Sequence, residues 1–340
     1  TAESLQQAIR KWKKALILYQ HIGDKQWQAF ILTAIGRIYD SLGDKQQALK
    51  FYNQSLPLLI EVGDKAGQAL TLNNIGLVYD SLGDKQQALK FYNQSLPLLI
   101  EVGDKAGQAL TLNNIGGVHD SLGDKQQALK FYNQSLPLSI EVGNKTGQAA
   151  TLNNIGGVCD SLGDKQQALK FYNQSLPLSI EVEDKSLQAR SLNNIGNVYY
   201  SLGDKQQALK FYNQSLPLKI EVGDKAGQST TLNNIGLVYD SLGDKQQALK
   251  FYNQSLPLSQ EVGDKAVQAT TLNNIGRVYD DLGDKQQALK FYNQSLPLRI
   301  EVGDKSGQAA TLNNLGVVYD DLGDKQQALK FYNQSLPLTI

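Results

Sequence analysis

The chain has 340 residues, 41% of them hydrophobic and 19% charged, and its 33 lysines and arginines balance 33 aspartates and glutamates. That neutrality excludes a global pull toward nucleic acid or membrane lipid, and no apolar run approaches the ~18 residues of a membrane span. With one cysteine, Cys159, and only His21 and His119, an internal disulfide framework and the usual four-ligand zinc site are excluded as well.

The first predicted element is a leading helix within residues 1–23, at about Ser4–Ile22. From there the sequence is periodic. The string LGDKQQALKFYNQSLPL begins at Leu42, Leu82, Leu122, Leu162, Leu202, Leu242, Leu282 and Leu322, a period of 40 with no insertion. The successive units are 24–63, 64–103, 104–143, 144–183, 184–223, 224–263, 264–303 and 304–340. Two punctuation marks fall in each, Gly63-Asp64 and Gly83-Asp84 in the second unit's case. Glycine just past a helix and aspartate as the next N-cap are stop-and-start chemistry, and Asp84 with Gln87 fits a capping box. Each unit is thus predicted as two antiparallel helices, A over about Lys65–Leu82 and B over about Lys85–Val102, each roughly 27 Å long.

Helix A sets Ala69, Leu72, Gly76 and Tyr79 on one stripe, flanked by Ile75, Val78 and Leu82. Gly76 leaves room for a neighbouring helix to approach closely. Helix B is expected to bury Ala88, Phe91, Tyr92, Leu96 and Val102. No hairpin closes a core alone, so hairpins must stack. Pro97 lies on a polar stripe and predicts a solvent-side kink rather than a helix end.

The pattern Leu72, Ile75-Gly76, Tyr79, Gly83, Ala88, Tyr92 resembles the tetratricopeptide repeat, and the likeness covers essentially the whole chain. It implies an all-α fold: a right-handed α-solenoid (superhelix) of eight helix-turn-helix units plus the leading helix, one domain over 1–340. The unit is longer than the usual 34 residues and is similar to the lengthened repeats of kinesin light chain. Ser95 stands where the family usually has alanine, and the proline comes three residues early.

The hexapeptide TLNNIG at Thr71–Gly76 recurs seven times with at most one change, although its asparagines and glycine cost a helix about 2 kcal/mol relative to alanine. Around it, helix A varies at two phases. One reads Phe30, Leu70, Leu110, Ala150, Arg190, Thr230, Thr270, Ala310; the other reads Arg37, Leu77, Gly117, Gly157, Asn197, Leu237, Arg277, Val317. Seven residues apart, they share one helical face. Lying opposite the buried stripe, that face is expected to line a concave groove, and the resemblance implies the same.

On this face Asn74, Asn114, Asn154, Asn194, Asn234, Asn274 and Asn314 would form a ladder, with Asn73, Asn113, Asn153, Asn193, Asn233, Asn273 and Asn313 as a second row. A carboxamide complements a peptide group, and similar asparagine ladders hold extended peptides in O-GlcNAc transferase and kinesin light chain. With helices ~8–10 Å apart and a strand rising ~3.3 Å per residue, one unit would serve about three ligand residues. Leu70, Leu77, Arg190, Asn197, Tyr200 and Arg277 would set side-chain preference. Thr33 and Ala34 replace the asparagine pair in the first unit, which would grip backbone poorly. The alternative is that the asparagines bond to neighbouring groups and only glue the stack.

Asp80, Asp120, Asp160, Asp240 and Asp280, with Asp281 and Asp321, either tint the groove acidic, favouring basic or neutral peptides, or pair with a lysine of the next turn such as Lys85. His119 and Cys159 occupy the Tyr79 phase and read as packing substitutions. Trp12 and Trp27 are expected to cover the end of the stack.

No nucleophile–base pair, phosphate loop or metal cluster is apparent, so no enzyme activity, cofactor or metal is expected. The expected function is a protein–protein interaction scaffold binding an extended peptide or partner segment, cytoplasmic, with neither nucleic acid nor membrane as partner. The second expectation is a regulatory or structural arm. Long arrays of near-identical units resemble those that bacterial proteins join to a caspase-like CHAT domain. A start at Thr1, no methionine, and an end at Ile340 where earlier copies run on into EVGDK suggest a piece of a longer protein. An apolar end there would permit self-association.

Overall fold

A computed structural model describes residues 2–338. Thr1, Thr339 and Ile340 lie outside the described residues, and with them the apolar end expected to self-associate. The chain forms two compact units, one ending at Leu178 and the other beginning at Ser179. The first holds α1 (Ala2–Ile22), α2 (Lys25–Ser41), α3 (Lys45–Glu61), α4 (Lys65–Ser81), α5 (Lys85–Glu101), α6 (Lys105–Ser121), α7 (Lys125–Glu141) and α8 (Lys145–Ser161). The division falls in α9 (Lys165–Glu181). The second holds α10 (Lys185–Ser201), α11 (Lys205–Glu221), α12 (Lys225–Ser241), α13 (Lys245–Glu261), α14 (Lys265–Asp281), α15 (Lys285–Glu301), α16 (Lys305–Asp321), α17 (Lys325–Ser335) and a 3-10 turn at Leu336–Leu338. No strand occurs among the described residues.

Helix ends follow the glycine-aspartate punctuation. Gly83 adopts φ +84°; its N–H donates to the Asp80 carbonyl and the Asp84 N–H to the Tyr79 carbonyl, both at 3.0 Å, the paired bonds of a glycine-stopped helix. Asp84 then accepts from the Gln87 N–H at 3.1 Å. Only this half of the expected capping box forms, because the Asp84 N–H is already bound to Tyr79. Leu82 and Val102 are C-cap residues rather than helix interior, and at 53% and 41% exposed they correct the expectation that both are buried. Glu183, at φ 55°, holds a left-handed position that the other units give to glycine. Pro57 and Pro97 sit inside α3 and α5 and face solvent, as their polar stripe requires.

A tyrosine organises each hairpin. Tyr92 of α5 is buried against Gly76 of α4, where an added Cβ would meet its Cε1 at 2.5 Å. Around Tyr92 gather Ala88 and, from the next hairpin, Ile115 and Val118, so the core closes only when hairpins stack. Phe91 and Leu96 are half-buried, while Leu99 is buried instead. Tyr79 stacks on Phe91 at 5.4 Å, and His119 takes the same place on Phe131 at 5.3 Å. Cys159 packs with Phe171 against the neighbouring cluster. Ser95 is buried and donates to the Ala69 carbonyl at 2.8 Å, a bond the family's usual alanine cannot make. Trp27 stacks on Tyr19 of α1, and Trp12 of α1 meets Phe30 edge-on.

Helix B carries one variable position that is buried at each copy among the described residues: Leu59, Leu99, Ser139, Ser179, Lys219, Ser259 and Arg299. Eight residues further on stand Gly67, Gly107, Gly147, Leu187, Gly227, Val267 and Gly307. Their sizes compensate. A bulky residue goes with glycine, and a Cβ added to Gly67 would lie 2.6 Å from Leu59 Cδ2. Ser179 and Ser259 go with Leu187 and Val267. Ser139 with Gly147 is small against small, and a pocket of about 60 Å³ remains there.

Candidate functional site

Within each unit consecutive first helices contact one another: α2, α4, α6 and α8 in one, α10, α12, α14 and α16 in the other. They carry both asparagine rows, and the two rows have different surroundings. Asn73, Asn153, Asn193, Asn233 and Asn273 are buried. Asn73 Oδ1 accepts from Thr111 Oγ1 at 3.3 Å and from Asn114 Nδ2 at 3.2 Å. Asn113, half-buried, accepts in the same way from Thr151 and Asn154, both at 3.1 Å. In the second unit Asn233 is paired with Thr271 and Asn274, and Asn273 with Thr311 and Asn314. The second-row expectation is corrected accordingly: these side chains hold one hairpin to the next. Only Asn313 of that row is exposed, and among the described residues no first helix follows α16.

The Asn74 row is half-buried, apart from Asn274, which is buried. Asn114, Asn154, Asn274 and Asn314 each donate Nδ2 to the preceding helix, and their carboxamide oxygens make no hydrogen bond among the described residues. Asn234 instead donates at 3.1 Å to Asn197 Oδ1, which also accepts from the Tyr212 hydroxyl at 2.8 Å. Asn194 is half-buried like its counterparts. Asn74 is the exception. The preceding helix offers Thr33 in place of asparagine, and its hydroxyl is engaged with Ser55 and Thr71. Asn74 Nδ2 is left buried without a partner.

The variable residues differ between the units. Phe30, Leu70, Leu77 and Leu110 are exposed in the first. In the second, Arg190 is exposed and Tyr200 packs beside the Tyr212 cluster. Arg277 donates at 2.5 Å to Asp240, which is 5% exposed and also paired with Lys245. The acidic tint is absent as a free charge: Lys85 meets Asp80 at 2.6 Å, and the pairing recurs at Asp40, Asp120, Asp160, Asp240, Asp280 and Asp320. Asp281 and Asp321 pair with Lys245 and Lys285. The hydrogen bonds that the Lys285 ammonium donates to Asp280 and Asp321 keep it charged to higher pH than usual. The preference for basic segments argued from these aspartates therefore loses its support.

Two features escape the sequence reading. Lys219 is 7% exposed, and its ammonium donates to the Gly227 carbonyl at 3.1 Å and to Thr231 Oγ1 at 2.8 Å. Burial pushes its pKa down to about 8, against the opposing pull of Asp224. The second is a pocket of about 310 Å³ between α2 and α4, walled by Trp27, Phe30, Leu59 and Leu70, with Asp64 and Gly67 at its edge. The signal for it was the aromatic pair Trp27 and Phe30, three residues apart; later units carry glycine, leucine or valine at the first of these phases and leucine, alanine, arginine or threonine at the second. Among the described residues no group of histidine, cysteine, aspartate or glutamate could hold a metal ion, and no helix is long and apolar enough to cross a membrane.

A profile of the tetratricopeptide repeat matches residues 2–61, 68–141, 107–181, 147–221, 187–261, 227–301 and 267–339. The chain belongs to the tetratricopeptide repeat family. No curated protein sequence matches it significantly. Among solved structures, the tetratricopeptide array is similar to the apo form of the quorum sensor NprR from B. thuringiensis, at 17% identity and TM-score 0.74, covering 99% of each chain. It is also similar to a Rap protein complexed with Competence and Sporulation Factor, at 14% identity and TM-score 0.63, covering 100% of this chain and 98% of that one. A third likeness is to the STAND protein PH0952 from Pyrococcus horikoshii, which has a tetratricopeptide repeat sensor. There identity is 14% and the TM-score 0.71, with 99% of this chain but 51% of that chain covered. At these identities the likeness is one of fold, and it agrees with the expected all-α repeat class.

Proposed function

We propose that the chain is a protein-interaction scaffold that binds an extended peptide or partner segment along its first helices. The observation that carries this is the half-anchored Asn74 row. In Asn114, Asn154, Asn274 and Asn314 the amide nitrogen is fixed to the helix before, while the carboxamide oxygen makes no hydrogen bond among the described residues. Acceptors fixed in advance suit the N–H groups of an extended backbone, because little further ordering is needed on binding. Asn74, Asn194 and Asn234 complete the row, and the Asn73 row contributes by holding it in position. Leu70 and Leu77 in one unit, and Arg190, Asn197, Tyr200 and Arg277 in the other, would read side chains. The neighbours support this reading: NprR is a quorum sensor, and the Rap structure holds Competence and Sporulation Factor.

A random-sequence peptide library, titrated by fluorescence anisotropy, tests it. Binders should lose at least tenfold in affinity when Asn114 and Asn154 are together changed to alanine, with the thermal melt confirming that the fold persists. Unchanged affinity would sink the asparagine row. A second reading, an arm of a larger protein, is favoured by the STAND likeness, where the chain spans about half of its neighbour. An open reading frame that stops at residue 340 in the source gene would remove it.

A further inference from the structure

We propose that the pocket between α2 and α4 takes an arginine side chain from the bound segment. This rests on the scaffold reading only in that the arginine belongs to a bound chain. The pocket's walls are apolar, formed by Trp27, Phe30, Leu59 and Leu70, and its one charged lining residue is Asp64. Asp64 caps α4, its Oδ1 accepting from the Gly67 N–H at 2.8 Å. No cation pairs with it among the described residues.

The same molecule shows what completes such a carboxylate. In the second unit Arg299 stands at the Leu59 position, and its Nη1 lies 2.5 Å from Asp304 Oδ2, the counterpart of Asp64. The guanidinium fills the space over Gly307, the counterpart of Gly67, so closely that an added Cβ would lie 1.7 Å from Nη1. Lys219 stands at the same position with its Cδ over Gly227, and its ammonium reaches the Gly227 carbonyl and Thr231 while Asp224 favours its charge. The position is therefore built to seat a cation over a glycine beside the cap carboxylate. In the first unit helix B supplies Leu59 instead, and the carboxylate borders an open pocket.

A guanidinium entering from outside would supply the missing charge. Its planar face suits the Trp27 indole, and its methylene stem suits Phe30 and Leu70. Lysine lacks the planar, forked donor set and should bind more weakly. The next hairpin does not repeat the site. Asp104 has Gly67 and Leu70 where Asp64 has Trp27 and Phe30, and it stays exposed.

The test uses the full chain carrying Trp12→Phe, so that Trp27 is the only indole. The blocked pentapeptide Ala-Ala-Arg-Ala-Ala is titrated against the same peptide with citrulline, which is isosteric and uncharged. Asp64→Asn removes the charge and keeps the cap, since Asn144 caps α8 through the same bond at 2.9 Å to the Gly147 N–H. Leu59→Arg supplies an internal guanidinium, as Arg299 does. The arginine peptide should change Trp27 fluorescence saturably. Affinity should fall at least tenfold for the citrulline peptide, for Asp64→Asn and for Leu59→Arg. Equal affinity in any of these, or no response of Trp27 to the arginine peptide, overturns the proposal. Library binders that still depend on Asn114 and Asn154 would then leave the scaffold standing. Loss of that asparagine dependence with the arginine response intact does the reverse.

Discussion

The two compact units are built from the same hairpin yet present different chemistry. Up to Leu178 the first helices expose Phe30, Leu70, Leu77 and Leu110 beside Arg37, and the buried helix-B position holds Leu59, Leu99 and Ser139. From Ser179 on, the equivalent surface carries Arg190, Asn197, Thr230, Thr270 and Arg277 as well as Leu237 and Val317, and Ser179, Lys219, Ser259 and Arg299 occupy the buried position. One backbone tolerates both because the glycine opposite leaves room for either a leucine or a cation. The tyrosine–glycine contacts do not vary with this change, and the same asparagine rung occurs in both units, with Asn74 and Asn234 as exceptions.

The sharpest contrast is electrostatic. Lys219 titrates near 8 in the folded chain, against about 10.4 for an unperturbed lysine. Between those values the unfolded chain binds more protons, so stability should rise with pH through that window, by up to about 3 kcal/mol. Lys219→Leu, which copies the first unit, should lack this rise and be the more stable protein near neutral pH. Urea unfolding at about pH 7 and about pH 10 reads the difference; identical pH responses would show that the lysine is not its source.

A single substitution should have opposite signs in the two units. Ser259→Leu must fit against Val267 and should cost about 2 kcal/mol by overpacking. Ser139→Leu enters the void beside Gly147 and should gain about 1 kcal/mol. Thermal melts of the pair decide this, and two changes of the same sign would break the size-compensation rule. The smallest expected effect concerns the orphaned Asn74 amide. Thr33→Asn restores the acceptor present before Asn114 and should stabilise by about 1 kcal/mol. Slower hydrogen exchange in α4 would register it, and unchanged exchange would mean that Asn74 was already satisfied.

Much of the fold is legible in the residues. The Gly-Asp pairs place the hairpin turns, with Asn144 and Glu183 standing in at two of them, and Gly76 announces a close contact that proves to be Tyr92. Leu82 and Val102 mislead because periodicity runs on for one residue past the glycine-stopped end, where the cap turns them outward. The candidate site is legible only in part. A helical wheel puts Asn73 and Asn74 together opposite the apolar stripe, but it does not show that the neighbouring first helix covers that flank and takes Asn73 into its own bonding. The alternative reading of Asp80, pairing with Lys85, is the one realised, since the lysine lies one tight turn away. The buried helix-B position is missed because leucine, serine, lysine and arginine at one phase look like a solvated surface. Its signal is joint variation with the residue eight places on, which a residue-by-residue reading passes over.

That eight-residue spacing bears on how such an array changes length. Both partners lie just downstream of the shared string LGDKQQALKFYNQSLPL. Gene copies that recombine within that string exchange ends upstream of both, so each matched pair is inherited as one block. Whole copies can then be gained or lost while every new junction still receives partners already fitted to each other.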